Sequence, residues 1–317
     1  MSFIIREATV EDVPSIFILI KELRKEFKIE GEPFKITEDK ITTDAFEGTP
    51  KIYFIVAEFK GQLLGYCAYF FSYDVFNGPS IIVEDFFVKK DFRKMGISVY
   101  LFSKLIDLTI DKKNHLLRWL VDFSNKKIIL LLKELGVSID EDYLIMNIHQ
   151  ENFTKLVNIE PKTNYKIRFA IGLDLPDIFA MIKEFAKEQD VKLESNIYKL
   201  MADGFSTNPQ FKILVAVDAE DRVVGFLSFI EAYSTYNGKA LIVDKRFIEP
   251  KYRGKKITYD LIKGLIHYAN DNNYERVEYG ISKFNVEKIE NFKEMNIFPY
   301  GNLRIASFVK DNYKKLL

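Results

Sequence analysis

The chain has 317 residues, 48% hydrophobic and 15% aromatic, which supplies packed cores and exceeds the length of one typical domain. Lys plus Arg and Asp plus Glu stand at 46 each, so no overall field points to nucleic acid or an anionic membrane. The single cysteine, Cys67, excludes an internal disulfide, and no uncharged apolar run is long enough to span a bilayer.

The first stretch, MSFIIREATVEDVP, is charged by its sixth residue and has no apolar signal core, so the expectation is a soluble cytoplasmic protein. FIIREAT reads as a short strand. Thr9 or Asp12 caps the helix that follows, with Pro14 in its first turn. KIYFIVAEF and QLLGYCAYFF alternate around Lys60-Gly61 as a hairpin. SIIVEDFFV is mostly apolar and therefore central. After a basic loop, Ile97, Leu101, Leu105 and Leu108 fall on one helical stripe. LLRWLVD is a strand, NKKIILLLKELGV a helix ended by Gly136, and DYLIMNI a final strand that closes the unit.

The unit then repeats. Asp12, Pro14, Ile16, Phe17, Ile20, Lys21, Glu22, Lys25 and Glu26 each recur 162 positions later, and QLLGYCAYFFSYDVFNG matches RVVGFLSFIEAYSTYNG at an offset of 160. Two copies of one fold of about 150 residues are expected, at 1–155 and 163–317, joined near NFTKLVNIEPKTNY. Their near-complete alignment suggests that they pack as an internal pseudo-dimer.

Within each copy a central strand runs through a basic loop into a helix: VEDFFVKKDFRKMGIS in the first, VDKRFIEPKYRGKKIT in the second. Such a junction suits an anion, because first-turn N–H groups lack intrahelical partners and the helix dipole is positive there. Arg93, Lys94, Met95, Gly96, Ile97 and Ser98 would line it, with Gly96 allowing close backbone approach. On its own this pattern is more often simply a turn.

The strand order together with R-x-x-G-x-G/A resembles the GCN5-related N-acetyltransferases (GNAT). The first copy is similar to spermidine/spermine and thialysine N-acetyltransferases within them, through IREATVEDVPSIFILIKEL, ITEDKITTDAF, AYFFSYDVFNG, VEDFFVKKDFRKMGIS and NKKIILLLKELG. The resemblance implies two tandem GNAT domains, each a mixed, mostly antiparallel α/β sheet flanked by helices. It implies acetyl-CoA as co-substrate, held by Phe86, Phe87, Val88, the loop from Arg93 to Ser98, and Asn125. Glu84 stands where these enzymes keep the base that takes the amine proton, which is needed because an ammonium has no lone pair. Asp85, Asp74, Phe76 and, more loosely aligned, Glu26 stand at positions that hold a cationic substrate. The implied substrate is a small primary amine: a polyamine, a diamine or a thialysine-like compound.

Several positions depart from that pattern. Ser98 replaces the second small residue, and Leu132 stands where a tyrosine would protonate the departing thiolate. Losing a positioned proton donor typically forfeits roughly 10²–10⁴ in rate. Tyr143 is a candidate substitute. The second copy has Asp244 for the glutamate, Lys256 and Thr258 in its loop, Phe292 at the tyrosine position and Asn296 at the closing glycine, so it reads as a structural or regulatory copy. A catalytically impaired pseudoenzyme that binds a ligand or protein partner is the alternative reading. His115, His149 and His267 have no ligand spacing, so no metal is expected, and Trp119 reads as core.

Overall fold

The computed structural model describes residues 3–27, 33–157, 163–294, 297 and 299–309. Asn296, and 158–162 in the expected junction between copies, lie outside them. In chain order the first copy has β1 (Ile4–Glu7), α1 (Val13–Glu26), α2 (Glu38–Phe46), β2 (Tyr53–Phe59), β3 (Gln62–Asp74), β4 (Gly78–Val88), α3 (Ile97–Asp111), β5 (Leu116–Asp122), α4 (Lys126–Glu134), β6 (Ser138–Asp140) and β7 (Tyr143–His149). After α5 (Gln150–Val157) the second copy has β8 (Lys166–Phe169), α6 (Leu175–Glu188), α7 (Ile197–Gly204), β9 (Lys212–Val217), β10 (Val223–Ser234), β11 (Gly238–Ile248), α8 (Ile257–Asp271), β12 (Arg276–Ser282), α9 (Val286–Glu294) and β13 (Leu303–Val309).

These strands form two mixed sheets, ordered β1-β2-β3-β4-β5-β13-β6 and β7-β12-β11-β10-β9-β8. The order departs from the sequence expectation at one point in each copy. DYLIMNI does not close its own unit: β7 pairs antiparallel with β12, from Tyr143 opposite Ser282 to His149 opposite Arg276. In return β13 pairs antiparallel with β5, from Leu303 opposite Asp122 to Val309 opposite Leu116. The halves exchange their last long strands, so each sheet takes strands from both sides of the junction. A strand's alternation fixes which face it buries but not which neighbour it joins, and that is why the exchange is invisible in the pattern.

Three apolar layers hold the sheets. One outer layer packs α3 and α4 on the first sheet around Leu101, Leu105 and Ile129, and includes Ala306 and Phe308 of β13. The other packs α8 on the second sheet and includes Met146 and Ile148 of β7. Between the sheets lies one continuous core to which both halves contribute, from Ile16, Ile20 and Tyr66 to Ile178, Ile182 and Phe226. The tip of each β-hairpin reaches the other half: the Phe76 carbonyl accepts from the Glu194 and Ser195 N–H groups, and the Tyr236 carbonyl from those of Lys35 and Ile36. The two tips therefore sit in equivalent places across an internal pseudo-two-fold.

Two features of the central strands shape a site. Opposite β3, Ala68 pairs with Asp85 and Tyr69 with Val83, so Glu84 is an unpaired bulge residue; Asp244 is the equivalent bulge in β11. Bulges bend a strand and re-aim a side chain. The parallel ladder between β4 and β5 also stops at Val83, so from Glu84 onward the two strands part. Gly65, shared by the repeat as Gly225, permits β3 to pass close to β4: a Cβ there would lie 2.5 Å from the Phe87 carbonyl oxygen.

Candidate active site between the two halves

Glu84 and Asp85 lie at the opening between β4 and β5, and their surroundings come largely from the second half. Asp85 is buried and accepts from Tyr66 Oη at 2.7 Å and from Thr235 Oγ1 at 2.6 Å. Arg276, only 3% exposed, places its guanidinium 3.7 Å from Glu84 Oε1 and 3.7 Å from Glu278 Oε2, and donates to Ser234 Oγ at 3.4 Å. Burial pushes the Glu84 carboxyl up to about 8, against the pull of Arg276 and with further push from the Asp85 and Glu278 charges. Burial also raises Asp85, opposed by its two hydroxyl donors and by Arg276. Among the described residues this cluster brings the carboxyl groups of Glu84, Asp85 and Glu278 around the guanidinium of Arg276.

The pseudo-two-fold produces a second cluster. Lys245, which stands at the Asp85 position, sends its ammonium to Asp244 Oδ1 at 2.8 Å and Asp74 Oδ2 at 2.7 Å. Arg118 lies 3.4 Å from Asp244 and 3.5 Å from Asp74. The Val75 N–H donates to Asp244 at 3.0 Å, and the Phe76 ring centroid lies 5.0 Å from Lys245 Nζ. Two carboxylates meet two cations. Burial opposes ionisation of Asp74, but Lys245 and Arg118 outweigh it and hold that carboxyl well below the usual range.

The residues expected to hold one substrate are therefore divided. Asp85 stays with Glu84. Asp74 and Phe76 cross to the second cluster, and the equivalent hairpin positions of the other half, Ser234 and Tyr236, stand with Ser234 against Arg276 and Tyr236 close enough for its phenol to be raised by the Asp85 and Glu84 charges as well as by burial. Glu26 belongs to neither cluster. It takes both arms of Arg93, at 2.5 and 2.6 Å, while Arg93 Nε donates to the Val88 carbonyl at 2.8 Å. Arg253 repeats the clamp with Glu188 and Ile248 in the second half. A clamp present beside both loops holds each loop to α1 or α6, whatever the loop binds.

The loop itself has the backbone that the sequence suggested. Gly96 opens α3 at φ +78°, and a Cβ built there meets only Tyr100 Cε2, at 3.8 Å. The space above it is open, and Lys94 and Ser98 are exposed at its sides. In the second half Lys256 occupies the same left-handed position, at φ +60°, and its side chain stands where the first loop has none. Ile97 is buried and Met95 packs partly buried, anchoring the loop from beneath. Phe86 and Val88 face the α3 layer, and Phe87 the shared core. Asn125 caps α4, its side chain accepting from the Ile128 N–H at 3.3 Å.

Leu132 packs against the α3 layer and offers no hydroxyl. Tyr143 lies on β7, beside β12, with its ring against Gly280. Among the described residues no group of three or more His, Cys, Asp or Glu side chains is arranged to hold a metal, and no helix is long and apolar enough to cross a membrane. Sequence reasoning missed Thr235, Arg276 and Glu278. The signal for the last two was present: Arg276 and Glu278 put two charges into RVEYGIS, a stretch otherwise free of charge.

A bulged carboxylate at a strand opening is built twice, beside a helix opened by Gly96 in the first half and by Lys256 in the second, and the chain falls in a known class. It belongs to the acetyltransferase (GNAT) family, whose model matches residues 18–137 and again 177–296. The chain is 34% identical to thialysine N-epsilon-acetyltransferase of Bos taurus over 145 residues, covering 43% of this chain and 85% of that protein. It is 29% identical over 132 residues to human spermidine/spermine N(1)-acetyltransferase-like protein 1, covering 39% of this chain and 19% of that one. Across both halves the fold is similar to a tandem GNAT protein from the clavulanic acid biosynthesis pathway, with a TM-score of 0.52, 12% identity, and coverage of 97% and 98%. It is similar also to a GCN5-related N-acetyltransferase from Sphaerobacter thermophilus, with a TM-score of 0.57, 15% identity, and coverage of 97% and 95%.

Proposed function

We propose that the first half, completed by side chains of the second, transfers an acetyl group from acetyl-CoA to a small primary amine that carries at least one further positive charge. The observation that carries this reading is the charge contrast between the two clusters. The Asp244 cluster is closed by Lys245 and Arg118, whereas Glu84, Asp85 and Glu278 gather around the Arg276 guanidinium. An acid-rich opening suits a cationic amine, which fits a diamine, a polyamine or a thialysine-like compound.

The roles follow from position. The Gly96 loop and the first turn of α3 would hold the CoA phosphates on backbone N–H groups, with Phe86, Phe87, Val88 and Asn125 along the same opening. Acetyl-CoA supplies the acetyl group as a thioester. Glu84 accepts one proton from the substrate ammonium, the freed lone pair forms the C–N bond as the C–S bond breaks, and a second proton of the nitrogen passes to the departing thiolate, which leaves as the free thiol of CoA. A carboxyl raised to about 8 is a stronger base than an ordinary glutamate and still ionises in part near neutrality. Asp85 and Glu278 attract the amine, and Arg276 limits how far Glu84 is raised. Lys256 in the loop and Lys245 in the acid cluster support reading the second half as structural or regulatory.

A pseudoenzyme is the competing reading, and Leu132 favours it, since it supplies no hydroxyl at the expected proton-donor position. Calorimetric titration with acetyl-CoA, followed by an acetylation assay over a panel of diamines and monoamines, separates the two. Turnover with a preference for diamines supports the transferase. Acetyl-CoA binding without turnover supports the pseudoenzyme, and absence of acetyl-CoA binding overturns both.

A further inference from the structure

The second cluster is an ammonium site that already contains an ammonium. Lys245 Nζ is held by two carboxylates at 2.7 and 2.8 Å, and the Phe76 ring lies under it at 5.0 Å. Two acceptors and an aromatic face are a general recognition set for a primary ammonium. Asp74 is further fixed by the N–H groups of Phe76 and Asn77, at 3.0 and 2.9 Å, and by Asn77 Nδ2 at 2.9 Å, and Asp244 by the N–H of Val75 at 3.0 Å. The acceptors are thus positioned by backbone and not only by the lysine. The pseudo-two-fold puts this cage in the place that corresponds to the opening beside Glu84, and Lys245 itself stands at the Asp85 position.

We infer that the chain retains, between its two halves, a second binding site for a primary alkylammonium, and that it closes this site with its own Lys245. Asp74, Asp244 and Phe76 form the walls, and Arg118 balances the remaining charge. Closing the cage in this way leaves the molecule with one open amine site and one filled from within. The inference stands on the second cluster alone and does not depend on catalysis in the first.

The test is chemical rescue in the full chain. Lys245→Ala deletes a fragment equal to n-propylammonium and leaves two buried carboxylates facing one guanidinium. Removing one partner of a buried ion pair is strongly destabilising, so Tm should fall by roughly 4–8 °C. Millimolar n-propylammonium should restore several degrees of that loss in Lys245→Ala and leave wild-type Tm nearly unchanged. Tetramethylammonium, with the same charge and no N–H, should not restore it, and Asp74→Asn in the Lys245→Ala background should abolish the rescue. If Lys245→Ala does not fold in plain buffer, refolding in n-propylammonium becomes the readout, followed by far-UV circular dichroism. Rescue by n-propylammonium and not by tetramethylammonium establishes the cage; equal response to both cations, or to neither, overturns it. Loss of acetyl transfer in the first half would be a separate result, seen in the wild type without any reference to Lys245.

Discussion

Glu84 is the residue on which the chemistry turns, and two forces set its proton affinity. Burial raises it to about 8, and Arg276, 3.7 Å away, holds it from rising further. If the deprotonated form is the base, kcat/KM for an amine should climb with pH and level off near 8. Glu84→Gln should lower the rate by roughly 10²-fold or more and remove that limb of the profile. The same carboxyl also ties stability to pH. Its folded value lies above that of an unfolded glutamate, near 4.5, so the native state holds a proton that the unfolded chain releases. Its contribution is complete below about 4.5 and is lost as pH rises through about 8. Denaturant titrations of wild type and Glu84→Gln across that window should show the slope in the first and its loss in the second. Arg276→Met removes the guanidinium that favours the carboxylate, so the pH–rate midpoint should move up by about one unit or more. A midpoint that stays in place would leave Arg276 as a packing residue only.

At the scale of the element, the loop before α3 and its counterpart before α8 differ at one decisive position. Gly96 takes φ +78° without strain, whereas Lys256 takes φ +60° and carries a side chain there. Lys256→Gly should therefore stabilise the protein, by about 0.5–1 kcal/mol, read as a higher denaturation midpoint. Gly96→Lys should do the reverse and should also weaken acetyl-CoA binding at least tenfold, measured by calorimetry. Unaltered affinity would show that the space above Gly96 is not where the cofactor phosphates lie. These loops were legible in the sequence because a strand, a basic turn and a helical stripe are local patterns. Glu84 and Asp85 were legible for the same reason, as acids interrupting an apolar strand. Asp74 and Phe76, expected beside Glu84, meet Asp244 and Lys245, with pairs 169 and 171 positions apart across the pseudo-two-fold. Local spacing carries no record of that crossing, although the buried Arg276 and Glu278 and the partly buried Arg118 do mark strands that meet something polar.

The exchange of β7 and β13 makes the whole chain, and not either repeat, the unit that folds. Sheet one holds β13, from the far end of the chain, between β5 and β6, and the core between the sheets is shared by α1, α2, α6 and α7. A half made alone would lose the partner of one strand edge and expose its side of that core. Such surfaces are routes to self-association. Residues 1–157 expressed alone should therefore self-associate, each copy lending β7 to another, as the intact chain lends it to its own second half. Co-expressed as two polypeptides, 1–157 and 163–317 should instead co-elute in a one-to-one complex whose mass by light scattering matches the intact chain. A monomeric 1–157 with a cooperative unfolding transition would mean that β7 can close its own sheet. The exchanged order would then be a preference of the tandem chain and not a requirement of either half. The site predicts the same dependence: Glu84 draws Arg276 and Glu278 from the second polypeptide, so the one-to-one complex should recover the pH profile of the intact chain and 1–157 alone should not.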